Sequence, residues 1–278
     1  MAPVLVLIER VDGAVRKPSL ELLTLARRIG EPAALVLGAI DDTTVATLGE
    51  HGASTVYTVD APELADYLIV PAAEAVTHVA KMLDPAAVLV TSGPDGKEIA
   101  GRVAVALDSG IITDAVDISP GDSSPVVTQS VFSGTWLADS TITSGTPVIT
   151  VRTNSVAVET APTTPAVESV DAAFSDLARS AKVTGTTAKE SSGRPDLTDA
   201  AIVVAGGRGM GSEDAFTLVE GVADALGGAV AASRAASFSA STLASSSRRA
   251  FSWLSASRAL AATMAFSRST FSSAARAR

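Results

Sequence analysis

The sequence predicts an α/β protein whose first half buries a parallel sheet between helices. Three observations carry this prediction. Apolar runs of four to six residues alternate with helical periodicity from Val4 to Leu107. Gly, Pro or Asp residues punctuate the junctions, where turns need them. Apolar residues make up 47% of 278 positions, enough for one large or two ordinary cores.

The elements follow in order. Val4–Ile8 (VLVLI) reads as a buried strand. Ser19–Ile29 places Leu22, Leu25, Ala26 and Ile29 on one helical face, with Pro18 and Ser19 marking its start and Gly30 its stop. Ala34–Leu37 is a second strand, and Thr43–His51 a short helix. Thr55–Val59 is a third strand, Pro71–Leu83 a helix, Ala86–Thr91 a fourth strand and Asp95–Leu107 a helix. Strands alternating with helices of this length are βαβ units, which pack helices on both faces of a sheet. After Gly110 the alternation stops. Val126–Phe132 and Pro147–Arg152 read as strands without intervening helices, and are expected to finish the sheet in antiparallel fashion.

Thr160–Val167 (TAPTTPAV) reads as a linker and Lys189–Asp196 (KESSGRPD) as a second polar break. A new unit opens with the strand Ala200–Ala205 and the bend Gly206–Gly211 (GGRGMG). A helix over Glu213–Leu226 presents Phe216, Val219, Val222, Ala223 and Leu226, and Ala229–Ala232 is a further strand. Ala235–Arg278 then changes character, with 13 Ser, 13 Ala and six Arg but no Gly, Pro, Asp, Asn, Gln or His. Parallel α/β folds need such residues at their turns, so this stretch does not continue the pattern.

Composition narrows the chemistry. The chain has no Cys, which removes disulfides, thiolate catalysis and Cys-ligated metals. His51 and His78 are its only histidines, so a multi-His metal site is not expected. The net charge is -9, but all six charged residues of the tail are Arg. Residues 1–234 therefore carry 15 basic against 30 acidic side chains, which argues against nucleic acid as a partner. No apolar stretch reaches the ~20 residues of a membrane helix. The start, Met-Ala-Pro, has no basic leader region, so the cytoplasm is the expected compartment.

The strongest candidate site is Gly206–Gly211, between a strand and a helix. Glycines there admit close backbone approach, so N–H groups can converge on an anion. The helix N-terminus adds a favourable partial charge, Arg208 a full one, and Ser212 a cap. Glu213 and Asp214 compete for the same dipole. The spacing is neither G-x-G-x-x-G nor a P-loop, so a phosphate cradle and a plain tight turn both stay open. Ser233 and Arg234 follow the next strand and would emerge beside that bend, at the carboxyl edge where α/β sheets bind ligands. Gly93–Lys97 (GPDGK) is a looser loop, with a simple βα turn as its plainer reading. Asp114 and Asp117 are a candidate carboxylate pair, and no nucleophile–base set can be assembled. A nucleotide-binding α/β protein and a cofactor-free interaction subunit both remain alternatives.

Long stretches of residues 1–234 resemble the alpha subunit of electron transfer flavoprotein. They are RKPSLELLTLARRIG (16–30), GKEIAGRVAVAL (96–107), ITDAVDI (112–118), GTPVITVR (145–152), SSGRPDLTDAAIVVAGGRGMGS (191–212) and LGGAVAASRA (226–235). Thr153 stands where the family has Pro. The resemblance implies an N-terminal α/β domain, residues 1–188, that packs on a beta subunit. It implies a doubly wound FAD-binding domain beginning at residues 189–235. FAD would take electrons from primary dehydrogenases, such as acyl-CoA dehydrogenases in fatty acid β-oxidation, and pass them to a quinone oxidoreductase. Gly207, Arg208, Gly209, Ser233 and Arg234 match family FAD contacts, with Arg234 near the flavin ring. The family's later Gly-Gln-Thr-Gly, Ser-Gly-Ala-Ile-Gln-His and Asn-Lys-Asp segments have no counterpart in residues 236–278. A frameshift in GC-rich coding DNA would produce such Ser/Ala/Arg text. An incomplete second domain and impaired FAD binding are therefore expected.

Overall fold

A computed structural model describes residues 2–187, 193–197, 200–212 and 214–232. The chain divides into two units at position 190.

The first unit contains β1 (Pro3–Ile8), β2 (Arg10–Val11), β3 (Ala14–Val15), α1 (Lys17–Ile29), β4 (Glu31–Leu37), α2 (Asp42–Glu50) and β5 (Thr55–Val59). It continues through α3 (Glu63–Asp66), α4 (Val70–Leu83), β6 (Ala87–Thr91), α5 (Pro94–Ala106), β7 (Ile111–Ser119), β8 (Val126–Val131), β9 (Trp136–Ser140), β10 (Val148–Val151) and β11 (Ala166–Ser169). Nine strands form one sheet in the order β11-β5-β4-β1-β6-β10-β7-β8-β9. β1 sits inside it, parallel to β4 on one side and to β6 on the other. Its apolar residues alternate between two cores. Val4, Val6 and Ile8 meet Leu22, Leu25 and Ala26 of α1, while Leu5 and Leu7 join Val76 and Val79 of α4 and Val103 of α5. A strand apolar on both faces needs a layer on each, and α1–α2 and α4–α5 supply them.

Most expected elements appear within one to three residues of their expected ends, with physical corrections. α1 begins at Lys17. Ser19 does not cap it; its hydroxyl accepts from the Glu9 N–H at 2.8 Å instead. Antiparallel strands do finish one edge, through β7, β8 and β9. Val148–Val151 is not among them: it inserts between β6 and β7, parallel to both. The β2–β3 hairpin has Asp12 and Gly13 at positive φ in its turn, the local chemistry that a two-residue connection requires.

The expected linker is no free connection. Residues 152–165 run along α1 and α2 as a strap. The Glu159 N–H donates to the Thr24 hydroxyl at 3.2 Å, and the Thr163 N–H to the Gly49 carbonyl at 2.8 Å. Ala166 and Val167 then enter β11, which pairs in parallel with β5 at the far edge. Glu21 clasps the start of the strap. It is 1% exposed, and its Oε2 accepts the Asn154 N–H at 2.8 Å, with Lys17 Nζ 3.7 Å from Oε1. Burial pushes the Glu21 carboxyl above its ordinary 4.5, and the Asn154 bond and the Lys17 charge only partly oppose this.

The second unit, in its described part, holds β12 (Val203–Gly206), α6 (Phe216–Leu226) and β13 (Ala229–Ala232). The strands pair in parallel, as one βαβ unit. A single 3-10 turn, Arg208–Met210, follows β12.

Two predictions follow from this packing. A Cβ at Gly96 would lie 2.0 Å from the Thr91 carbonyl oxygen, whereas one at Gly101 would meet nothing within 4 Å. Both lie in α5, so Gly96→Ala should destabilise the protein by at least about 2 kcal/mol in denaturant unfolding. Gly101→Ala should stabilise it by about 0.5–1 kcal/mol. The second concerns Glu21, whose raised pKa makes its contribution largest when it is protonated. That contribution is complete below pH 4.5 and is lost as pH rises through the folded value. The stability of the native protein relative to Glu21→Gln should therefore fall as pH rises above about 4.5 in urea titrations.

Candidate functional site

The site is set by the register of two strands. Gly206 lies opposite Ala232, so β12 and β13 end level with one another. Paired strands lie about 4.8 Å apart, so Gly206 and Ala232 lie side by side at one edge. This is the carboxyl edge, where open α/β sheets bind ligands.

Gly206 also fixes the helix. A Cβ there would fall 2.8 Å from the Phe216 ring and 3.2 Å from Val219, so the missing side chain lets α6 lie close on β12. The next residues form the bend. The Met210 N–H donates to the Gly207 carbonyl at 3.0 Å, and the Ser212 N–H to the Met210 carbonyl at 2.9 Å. Gly209 faces open space, and Gly211 takes φ +74°, a left-handed conformation that favours glycine. Gly207 and Gly209 thus lie together on the carboxyl side of β12. The side chain of Arg208, and all of Ser233 and Arg234, lie outside the described residues.

Two details of the expected bend change. α6 starts at Phe216, not Glu213, with Ala215 before it and no side-chain cap. Ser212 does not cap the helix; its hydroxyl accepts from the Ala215 N–H at 3.4 Å, ahead of the helix start. Asp214 precedes the helix instead of occupying its first turn, and its carbonyl accepts from the Thr217 N–H and hydroxyl. At the opposite end of α6, Arg194 grips Asp224 with two nitrogens at 2.6 and 3.0 Å. The hydrogen bond from Arg194 holds the Asp224 carboxyl below its ordinary range. This fork ties the chain ahead of β12 to the helix that follows it.

The other candidates resolve into structural roles. Gly93–Lys97 is a βα turn that starts α5, and Lys97 Nζ lies 2.7 Å from Asp114 Oδ2. Asp114 Oδ1 accepts from the Ser92 hydroxyl at 2.7 Å. Burial opposes ionisation of Asp114, but the Lys97 and Ser92 hydrogen bonds and the Lys97 and Arg152 charges outweigh it, so its pKa is lowered. Asp117 instead pairs with Arg28 at 2.6 Å, so the two aspartates form no dyad. His51 is buried, with Nδ1 2.8 Å from the Thr47 carbonyl, while His78 is exposed. Among the described residues no cluster could hold a metal ion. A cleft of about 480 Å³ lies between α2 and residues 162–165, and one of about 130 Å³ lies near Arg194 and Asp224; neither is at the glycine bend.

Known proteins match both units of the chain. The family profile described as electron transfer flavoprotein domain matches residues 4–175. The electron transfer flavoprotein FAD-binding domain matches residues 196–250, the stretch that contains β12, the glycine bend, α6 and β13. The electron transfer flavoprotein alpha subunit of Mycobacterium leprae (strain TN) is 43% identical over 239 residues, covering 85% of this chain and 74% of the relative.

The chain belongs to the electron transfer flavoprotein alpha-subunit family.

The alpha subunits of Pseudomonas aeruginosa and Bacillus subtilis (strain 168) support the assignment. They are 33% and 31% identical, and the matches span 74% and 72% of their lengths. Members of this family are electron carriers, alpha partners of a beta subunit, and FAD is their cofactor. The described residues fit the phosphate end of such a dinucleotide. They provide an unobstructed glycine at Gly209, a bend at the carboxyl edge and a neighbouring strand end. No helix among the described residues is long and apolar enough to cross a membrane.

Proposed function

We propose that this chain is the alpha half of a two-subunit carrier. It would accept electrons from primary dehydrogenases, such as acyl-CoA dehydrogenases of fatty acid β-oxidation, and deliver them to a membrane quinone oxidoreductase from the cytoplasm. The observation that carries this reading is the level pairing of Gly206 with Ala232, which sets both at the edge where open α/β sheets bind ligands.

Each residue then has a role. Gly207 and Gly209 let backbone N–H groups face the pyrophosphate, and Arg208 supplies a fork that matches its oxygens. Ser233 and Arg234 follow Ala232 directly and are the family's contacts nearer the flavin. A guanidinium there favours negative charge on the ring and raises its potential. The bound flavin supplies reversible uptake of electrons, and the protein supplies grip, orientation and field.

The later family segments that complete the flavin wall are missing from residues 236–278 of this sequence, so FAD is held weakly. The first unit, with its two complete cores, supports a second reading: assembly with a beta subunit without flavin.

Fluorescence-quench titration of FAD into the full chain with its beta subunit tests the proposal. The complex should bind FAD at least ~10-fold more weakly than the M. leprae pair. Arg208→Ala should weaken it a further ~10-fold or more, the size of a lost charged hydrogen bond. Affinity equal to that of the relative would contradict the weakened wall. An unchanged Arg208→Ala variant would contradict the cradle. Heterodimer formation with no measurable flavin would favour the second reading.

A further inference from the structure

Helix α6 buries one side and exposes another that is also apolar. Val219 and Ala223 are 6% and 0% exposed, whereas Leu218, Val222 and Leu226 are 68%, 42% and 53% exposed. At about 100° per residue these three follow one another down a single side of the helix. Glu220 and Asp224, both exposed, form a second row, and Gly221 and Ala225 lie between the two. A Cβ at Gly221 would meet nothing within 4 Å, so the channel between the apolar ridge and the acidic one is open. A lone βαβ unit leaves such a ridge bare until a further layer covers it.

The chain carries a segment of matching chemistry. Residues 235–278 contain six Arg and no Asp, Glu or Lys, whereas residues 191–232 carry six acidic side chains against two basic ones. Within that segment Phe251, Trp253, Leu254 and Leu260 stand beside Arg248, Arg249 and Arg258. The segment also starts in the right place. β13 pairs in parallel with β12, so it ends at the edge from which the chain enters α6. The 18 residues from Ser233 to Ala250 can span up to roughly 60 Å, while α6 is about 17 Å long. Attachment to the same chain sets an effective concentration on the order of millimolar. β12 and β13 carry no charged side chain, so the other face of their sheet offers the arginines no partner.

We propose that residues 248–260 dock along α6 of their own chain. Phe251, Trp253 and Leu254 cover the ridge of Leu218, Val222 and Leu226, and the arginines run along Glu220 and Asp224. A second copy of this chain is a poorer occupant, because two molecules of net charge -9 repel one another. The contact is independent of the carrier reading and holds with or without FAD.

Trp253 reports on the contact in the full chain once Trp136, the only other tryptophan, is replaced by Phe. Acrylamide should then quench Trp253 less than free tryptophan, at any protein concentration. Leu218→Gln combined with Leu226→Gln should shift the docking equilibrium at least ~10-fold toward the undocked chain, and quenching should rise accordingly. The matched control Leu177→Gln, at a 62% exposed position in the first unit, should change nothing. A second measurement leaves α6 unaltered: amides of 216–226 should exchange faster when Phe251, Trp253 and Leu254 are all replaced by Ser. Trp253 quenched as readily as free tryptophan, shielding that survives the Leu218 and Leu226 changes, or unchanged α6 exchange would overturn the surface. Shielding lost on dilution would give the ridge to a second copy, and shielding that appears only with the beta subunit would give it to that partner. Either result would overturn the choice of occupant.

Discussion

Parallel strand pairing is the constraint on which the rest depends. It sends the carboxyl ends of all paired strands to one edge and forces their connections over the faces. The two units use this edge differently. In the first, the edge is filled from within: the β2–β3 hairpin follows β1, and Ser92, Lys97 and Asp114 bind one another beyond β6. In the described part of the second, Gly206 lies level with Ala232, and a Cβ at Gly209 would meet nothing within 4 Å. One geometry thus yields a self-satisfied scaffold and the edge proposed for the cofactor.

The energetics match that division. The first unit packs two apolar layers against a sheet that alternates between them residue by residue. Its strap and its clasp at Glu21 secure the return path to the far edge. The described part of the second unit buries Val219 and Ala223 but leaves Leu218, Val222 and Leu226 more than two-fifths exposed. Two strands and one helix with such a stripe do not make an independent core.

Much of this was legible in the residues, because parallel strands buried on both faces read as continuous apolar runs. VLVLI and TVYTV are clear for that reason. β7 escaped because its buried residues, Ile112, Ala115 and Ile118, are spaced by three. A bulge sets three residues of β7 against two of β10, and the left-handed Asp114 sits within it. The strap escaped because TAPTTPAV has turn chemistry, while its order comes from tertiary hydrogen bonds to α1 and α2. The Asp12-Gly13 pair was a usable hairpin signal that periodicity alone passes over. At the site, the glycine bend and its neighbouring strand were legible. The late start of α6 was not, since Ser212 looks like a cap in sequence and lies too far from the helix to act as one.

The level ending of β12 and β13 can be tested directly, because the chain has no cysteine to confuse a cross-link. Ala205 lies opposite Ala231, and Val203 opposite Ala229. Oxidation of the double variant Ala205→Cys, Ala231→Cys, followed by mass spectrometry of the peptides, should show a bridge. The offset pair Val203→Cys, Ala231→Cys should stay reduced. A bridge only in the offset pair would shift the register, move Gly206 away from the end of β13 and contradict the account.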